Sequence, residues 1–377
     1  MQPRAAVLGT GFVGIVHVEA LRRIGVEVVG VLGSTPERAA AKAAAAGLPA
    51  PYASLDDVLA DDRVDVVHVA TPNHLHVPQV RAALAAGKHV VCEKPLATTT
   101  ADAAELLRLA EAAGIVHCTN FNLRYYPLVQ HARAVIASGE LGRPYHAQGG
   151  YLQDWLLHDT DWNWRLDPAT GGELRAIGDI GSHWIDLLEF VSGRRVTAVM
   201  AELTTHIPVR RRPVGEVETF AASEGERVEV HVATEDAAHV LLRLEDGARA
   251  AMTVSQIAAG RRNQLAFEVD CSEGSVAWNS ERNEELFLGR RGRPNEVLLK
   301  DVTLLAPPAA AVTSYPPGHA EGYPDTFKHL YAAVYAAVAA GGMPAEPAFP
   351  TFAAGLRANA IGEAIARSGR EGRWIEL

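Results

Sequence analysis

Residues 9–14 read Gly9-Thr10-Gly11-Phe12-Val13-Gly14, a GxGxxG run placed directly after the apolar stretch Ala5-Ala6-Val7-Leu8 and at the head of a helical pattern reaching about Ile24. The chemistry such a turn serves is phosphate binding. The first glycine allows the tight turn, the second lets a pyrophosphate approach the backbone, and the third lets helix and strand pack closely. The helix start adds N–H groups and a partial positive charge. In a dinucleotide site the second strand ends on an Asp or Glu for the adenosine ribose. Here Gly33-Ser34-Thr35 stands in that place. No carboxylate opposes a 2′-phosphate, and Ser34, Thr35 and Arg38 offer donors for one. That leans toward NADP and leaves NAD, held by other contacts, open. A second concentration of chemistry lies at 151–165, where Tyr151, Gln153, Asp154, Trp155, His158, Asp159, Trp162, Trp164 and Arg165 crowd together. Apolar ring faces interleaved with hydrogen-bonding groups suit a sugar-like ligand.

The elements around these residues follow a strand–helix rhythm up to about residue 120. Strands are expected at 5–8, 26–32, 64–70, 89–92 and 115–119, and helices at 12–24, 36–46, 78–86 and 100–113. Thr99 with Asp102 resembles a capping box for the last of these. Short, continuously apolar strands alternating with helices predict a doubly wound parallel sheet covered on both faces, a Rossmann domain over residues 1–121. From 122 the rhythm changes. Helices are expected at 125–138 and 179–191, followed by strands at 196–207, 227–232, 239–244, 248–257, 264–271 and 275–278. Glu245-Asp246-Gly247 signals a hairpin. Residues 307–318 read as loop, and 323–340 and 352–368 as helices. The expectation for 122–377 is an α+β domain with a mostly antiparallel open sheet, its last helices free to pack back on the first domain. No internal repeat and no disordered linker stands out.

A length of 377 residues suits two domains. The formal net charge of −10 argues against nucleic acid as a partner. No apolar run reaches the roughly 18 residues a membrane helix needs. Met1-Gln2-Pro3-Arg4 leads into a strand rather than a secretory signal. Cys92, Cys118 and Cys271 are distant from one another and form no CxxC pair, which predicts buried reduced thiols and a cytoplasmic location. Arg210-Arg211-Arg212 reads as a solvated loop.

Three further stretches carry a resemblance: Ala70-Thr71-Pro72-Asn73-His74-Leu75-His76, Cys92-Glu93-Lys94-Pro95 and Gly178-Asp179-Ile180-Gly181-Ser182-His183. In this order, behind the Rossmann start, the chain resembles the glucose–fructose oxidoreductase, inositol dehydrogenase and rhizopine-catabolism superfamily over nearly its whole length. The resemblance implies hydride transfer between NAD or NADP and a hydroxyl or ketone carbon of a sugar, polyol or sugar derivative. It places Lys94 beside the nicotinamide and the reacting carbon, with Asp179 and His183 facing it. Thr71, Pro72, Asn73, His74 and His76 would line the nicotinamide half of the cofactor, Glu93 would lie near its ribose, and Asn122, Arg124 and Tyr125 would fall where members cross between domains. It also implies a homodimer or homotetramer.

Elementary chemistry agrees with those roles. Oxidising an alcohol needs a base for the hydroxyl proton, and histidine has the right intrinsic pKa near neutral pH. Asp179, four residues before His183, projects from the same helix face. Lys94 can hold an alkoxide-like oxygen or relay the proton. Family members take substrate contacts from the segment matching Tyr151, Gln153, Trp155, Trp164 and Arg165, followed by a glycine pair. Here Glu173-Leu174-Arg175-Ala176-Ile177 separates Gly171-Gly172 from Gly178. His319 is a further candidate for the cleft, or a cap for the helix after it. No metal is expected, because Asp179 and His183 have no third ligand motif beside them. A second activity uses the same residues: a glycosidase that oxidises the sugar transiently, eliminates the substituent and reduces the product again.

Overall fold

The computed structural model describes residues 2–48, 51–215 and 225–377. The chain divides into two compact units, each assembled from separate stretches. The first comprises residues 1–122, 169–172 and 327–359. Its sheet contains β1 (Ala5–Leu8), β2 (Val28–Leu32), β3 (Val66–Val69), β4 (His89–Cys92) and β5 (His117–Thr119) in the order β2-β1-β3-β4-β5, every pair parallel. The connecting helices are α1 (Phe12–Arg23), α2 (Pro36–Ala45), α3 (Leu55–Ala60), α4 (His76–Ala85) and α5 (Thr100–Ala112). The strands are short and almost wholly buried, β1 and β2 as apolar runs and β3, β4 and β5 with a histidine each, as a sheet covered on both faces requires. Thr99 caps α5 in the place expected. Thr99 Oγ1 accepts from Asp102 N at 3.1 Å and its hydroxyl donates to Asp102 Oδ2 at 2.7 Å.

The edge strand β5 is not left open. Thr119 N donates to Pro350 O at 3.0 Å, and Phe352 N donates to His117 Nδ1 at 3.1 Å, so residues 350–352 run along it. The Phe352 ring completes the core under β4 and α5. Burial pushes the His117 imidazole down to about 4. A neutral buried histidine stabilises fully above the unfolded value of about 6.5, and that contribution is lost as pH falls toward the folded value. The linkage amounts to roughly 2 kcal/mol by pH 5. His117→Asn keeps an acceptor for Phe352 N but does not titrate. Urea unfolding at pH 7.5 and pH 5 should therefore show a smaller acid loss in the variant, and equal losses would refute the assignment.

The second unit comprises residues 123–168, 173–326 and 360–377. The chain from its start gives α6 (Pro127–Ala137), β6 (Pro144–Leu152), the single turn α7 (Pro168–Gly171), a π-turn at Ile177–Gly181 and α8 (Ser182–Ser192). The strands that follow are β7 (Val196–Thr204), β8 (Val209–Pro213), β9 (Arg227–His231), β10 (Ala237–Leu244), β11 (Arg249–Ser255), β12 (Gln264–Cys271), β13 (Gly274–Asn279), β14 (Glu285–Arg290) and β15 (Glu296–Leu299). Then come α9 (Pro307–Ala310), α10 (Tyr323–Ala339), α11 (Phe352–Glu371) and β16 (Ile375–Glu376); residues 169–171 of α7, α10 from Phe327 and α11 up to Asn359 belong to the first unit. Nine strands form one sheet in the order β15-β14-β13-β12-β6-β11-β10-β7-β16, and β8–β9 stand apart as a ribbon. The sheet is antiparallel except for β6 with β11. Side chains of α6 and α8 cover one face in a common core with the inward residues of the strands. The Glu245-Asp246-Gly247 hairpin is present, with φ of 58° at Asp246 and 81° at Gly247, the left-handed pair that a tight hairpin needs.

Three expectations need correction. The central strand β6 was not anticipated, nor were β14 and β15 at the sheet's far edge. Residues 307–318, read as loop, contain the helical turn α9. Among the described residues no helix is long and apolar enough to cross a membrane.

Candidate active site

Two positions of the turn between β1 and α1 admit only glycine. Gly9 has φ +103°, and a Cβ there would strike Ala70 O; one on Gly14 would strike Gly9 O. Over Gly11 the space is open, with nothing within 4 Å of where a Cβ would stand. Gly11 is also the N-cap of α1, without a side-chain cap and without an acidic residue in the first turn. The start of α1 thus carries no acidic residue in its first turn and clear space over Gly11, which fits a pyrophosphate. Phe12, half exposed, and Val13 open the helix.

Beyond β2, Gly33 lies against α2, its Cβ position 3.0 Å from Ala39 N. Thr35 Oγ1 caps α2 by accepting from Arg38 N at 3.3 Å, and Arg38 Nη1 reaches Ser34 Oγ at 3.5 Å. The three residues proposed for a 2′-phosphate therefore stand together. Glu37, exposed in the same turn, is a carboxylate the sequence reading passed over. Hydrogen bonds from its own backbone N–H and from Thr35 hold its carboxyl below the usual range.

After β3, the Thr71 hydroxyl donates to Gln79 Oε1 at 2.7 Å, Pro72 leads into the turn Asn73–Leu75, and buried Asn73 donates to Gly171 O at 2.8 Å. His74 is exposed. His76 is fully buried, with Nδ1 2.8 Å from Pro95 O and Nε2 2.8 Å from Thr71 O. Its ring is spent between the two loops, so it shapes them from behind rather than lining a ligand surface. Burial pushes this imidazole down from its ordinary value. At the end of β4, Glu93 is buried and half-buried Lys94 follows it. Glu93 Oε1 accepts from Asn120 Nδ2 and from His17 Nε2 at 3.1 Å, and Oε2 accepts from Lys94 N at 3.2 Å. Burial alone would raise this carboxyl, but the bond and charge from His17, with Lys94 and Asn120, outweigh it and hold it at about 2. Asn122 is buried at the start of the turn Asn122–Tyr125.

In the second unit Asp179 sits in the π-turn, its N–H 2.7 Å from Arg175 O, and His183 lies in the first turn of α8. A π-turn widens the backbone locally and is frequent at functional positions. Asp179 Oδ1 pairs with Arg165 Nε at 3.2 Å, and Oδ2 accepts from Gln256 Nε2 at 2.9 Å. The Arg165 guanidinium lies 4.3 Å over the Trp164 ring. A second chain runs from Trp155 Nε1 to Gln153 Oε1 at 2.8 Å, then from Gln153 Nε2 to Asn263 Oδ1 at 2.7 Å, where the Tyr151 hydroxyl also donates at 2.7 Å. The Tyr151 ring is 6.3 Å from that of His183. The structure thus links Tyr151 and Gln153 through Asn263, with Trp155 held on Gln153, and brings Arg165 and Gln256 onto Asp179, with Trp164 stacked on Arg165. Neither Asn263 nor Gln256 belongs to a motif, and their distance along the chain left no signal.

Three site expectations change. Arg124 donates through Nε to Asp186 Oδ2 at 2.7 Å and through Nη2 to Oδ1, so its fork is committed to a buried carboxylate on α8. Tyr125, beside it, is buried at 4 % exposure. His319 lies on an exposed loop with Nδ1 3.3 Å from Pro317 O, and at the start of α10 it is Asp325, in the first turn, that accepts from Gly322 N at 2.8 Å. The Arg210–Arg212 run is strand β8, and Arg210 is 0 % exposed. Its Nη1 donates to His158 O at 2.9 Å and Asp161 O at 3.3 Å, and its Nη2 to Leu156 O at 3.0 Å and Asp236 Oδ1 at 2.7 Å. Among the described residues no group of three or more His, Cys, Asp or Glu side chains stands placed to hold a metal ion.

Residues 3–121 match the family model described as an oxidoreductase family with an NAD-binding Rossmann fold, and residues 129–277 match the GFO/IDH/MocA C-terminal domain. The chain belongs to the GFO/IDH/MocA family and is an NAD(P)-dependent oxidoreductase. Among its relatives, levoglucosan dehydrogenase of Pseudarthrobacter phenanthrenivorans is 32 % identical over 358 residues, 91 % of this chain and 88 % of that one. A 1,5-anhydro-D-fructose reductase of Ensifer adhaerens is 41 % identical over 178 residues, 46 % of this chain and 51 % of that one. A solved levoglucosan dehydrogenase in complex with NADH and levoglucosan superposes with a TM-score of 0.90 at 28 % identity, covering 100 % of both chains.

Proposed function

We propose that this enzyme oxidises a hydroxyl of a sugar, anhydrosugar or polyol, or reduces the matching ketone. The cofactor half of the work falls to residues 1–121 and the substrate half to the remainder. The observation that carries the reading is the pair of polar clusters in the second unit, where half-buried Trp155 and Trp164 stand among the polar groups of Tyr151, Gln153, Asn263, Arg165, Gln256 and Asp179. Ring faces with convergent donors and acceptors suit a polyhydroxylated ring. The names of the relatives, dehydrogenase and reductase, favour net redox over redox-assisted glycoside cleavage.

The nicotinamide, when bound, supplies the hydride acceptor. The protein's part is proton handling and placement. His183 takes the hydroxyl proton on an imidazole nitrogen, Lys94 holds the alcohol oxygen with its ammonium group, and Asp179, fixed by Arg165 and Gln256, orients imidazole or substrate hydroxyl. Gly9, Gly11 and Gly14 cradle the pyrophosphate, and Glu93 takes a ribose hydroxyl. We extend the proposal to a homodimer or homotetramer in a reducing cytoplasm, where cysteines stay reduced; none of the three forms a disulfide.

The test mixes purified enzyme with sugars, 1,6-anhydrosugars and nitrophenyl glycosides, with NAD and NADP separately. Reduced-nicotinamide absorbance is followed beside aglycone release. Net NADH or NADPH without release is expected, and the better cofactor is read directly. Release that needs the dinucleotide yet accumulates no reduced form would replace this reading with the glycosidase.

A further inference from the structure

Behind Glu93 in the first unit lies a file of buried polar side chains that hydride transfer does not use. His17 projects from α1, one turn past Gly14, and its Nε2 lies 3.1 Å from Glu93 Oε1. Its Nδ1 lies 3.0 Å from Nδ1 of His68 on β3. His68 Nε2 lies 3.0 Å from the hydroxyl of Tyr335 on α10. His17 and His68 are 0 % exposed and Tyr335 is 6 % exposed, and the rings of Phe327 and Tyr331 pack on the imidazoles. Water cannot replace these partners.

The hydrogen-bond roles follow by elimination. An ionised carboxylate only accepts, so His17 donates through Nε2 in either protonation state. One proton then lies between the two Nδ1 atoms. With His17 neutral it belongs to His68, and Tyr335 donates to His68 Nε2. With His17 protonated it belongs to His17, and His68 donates to Tyr335. In both cases Glu93 keeps its donor. Of the roughly four lone-pair directions of a carboxylate, His17 and Asn120 take two at Oε1 and Lys94 N takes one at Oε2. The direction left over is on Oε2, beside the Lys94 backbone.

We propose that His17 and His68 are positioning residues that hold Glu93 ionised and turned, Oε1 fastened to the protein and Oε2 presented to a hydroxyl of the nicotinamide ribose. This rests on the cofactor reading of the preceding subsection. Because His17 rides on the helix whose first turn meets the pyrophosphate, the file ties the two halves of one dinucleotide site through a single rigid helix. The groups facing Glu93 are His17 from α1, Asn120 after β5, His76 from α4, and Cys92 and Lys94 on its own strand.

The experiment titrates NADH fluorescence and measures kcat and cofactor KM from pH 5.5 to 8.5 for wild type, His17→Leu, His17→Gln and His68→Val. Loss of a bond to a buried charged group should weaken NADH binding roughly 10- to 100-fold in His17→Leu. Binding should weaken further toward acid as the Glu93 carboxyl rises into range, while kcat at saturating cofactor falls much less. His17→Gln, which keeps an N–H in the place of Nε2, should recover most of the loss. If His17→Leu does not fold, His68→Val reads the next link and should shift affinity and its pH dependence in the same direction. Folded His17→Leu and His68→Val with wild-type NADH affinity and pH dependence, merely melting earlier, would overturn the proposal while wild-type binding leaves the cofactor reading intact. A wild type that binds no reduced dinucleotide would overturn both.

Discussion

Lys94→Ala should lose roughly 10²–10⁴-fold in kcat, the range for removing a positioned proton-handling group. Binding of NADH should fall far less than kcat, because the glycine turn, the start of α1 and the hydrogen bonds to Glu93 from His17, Asn120 and Lys94 N remain. The fold should also survive, since Lys94 is half-buried and not part of the strand core. His183→Ala should fall in the same range. The double variant should be little worse than either single one, as for residues that act as a unit. Steady-state kinetics beside fluorescence titration separates the two effects. Activity within tenfold of wild type in Lys94→Ala would remove it from the chemistry.

The largest expected loss of stability is at Asp236. This carboxylate is buried between two guanidinium groups. Oδ1 accepts from Arg175 and from Arg210, and Oδ2 accepts from Ile207 N at 2.8 Å. Burial works to raise its carboxyl, but Arg175 and Arg210 outweigh burial and hold it below the ordinary value. Removing one partner of a buried pair leaves charge without compensation, at a cost of about 3–5 kcal/mol. Here two cations would be stranded, with Arg175 1 % exposed and Arg210 0 % exposed. Asp236→Ala should therefore lower the melting temperature of the second unit by many degrees. Asp236→Asn, which keeps the shape and some acceptance, should cost less. The loss should also be local. Arg210 holds the carbonyls of Leu156, His158 and Asp161, and neighbouring Glu235 accepts from the N–H groups of Arg175 and Ile177 at 2.9 Å and 2.8 Å. The Asn variant, if folded, should show a raised KM for sugar with cofactor affinity unchanged. Calorimetry and kinetics check both, and a wild-type melting temperature in Asp236→Ala would refute the account.

The first unit was readable because its signals are local. Short apolar strands, a glycine turn and a capping box each lie within a few neighbouring residues, and each determines its own geometry. The central strand β6 carries Gly149 and Gly150, residues that weaken a strand's own pattern. The structure shows why they are there: a Cβ on Gly149 would strike Ala266 O, and one on Gly150 would strike Thr253 O. Close approach of neighbouring strands is a tertiary demand that a single strand's pattern does not display. Arg210 was misread for a similar reason. Three consecutive arginines look solvated, yet alternation along β8 turns the first inward, toward a carboxylate 26 residues away. Of the candidate site, Lys94, Asp179, His183 and the 151–165 cluster were visible through motif and composition. Asn263, Gln256, His17 and His68 were not, because each acts on a group that is distant in sequence, or on another buried side chain. Gly9 and Gly14, by contrast, were legible, since a tight turn and close packing against it leave little choice of residue.

The first unit draws residues 1–122, 169–172 and 327–359 from three parts of the chain. Its histidine file ends on Tyr335, and its edge strand is covered by residues 350–352. On the ribosome, then, the strands of the parallel sheet emerge well before the residues that cover its edge, and the unit is incomplete until Phe352 has been made. A nascent chain halted anywhere before Phe327 would expose an unpaired β-edge and an unfilled core, a natural target for chaperones. For the same reason, residues 1–121 cloned alone should express as an aggregating fragment rather than as a minimal dinucleotide binder.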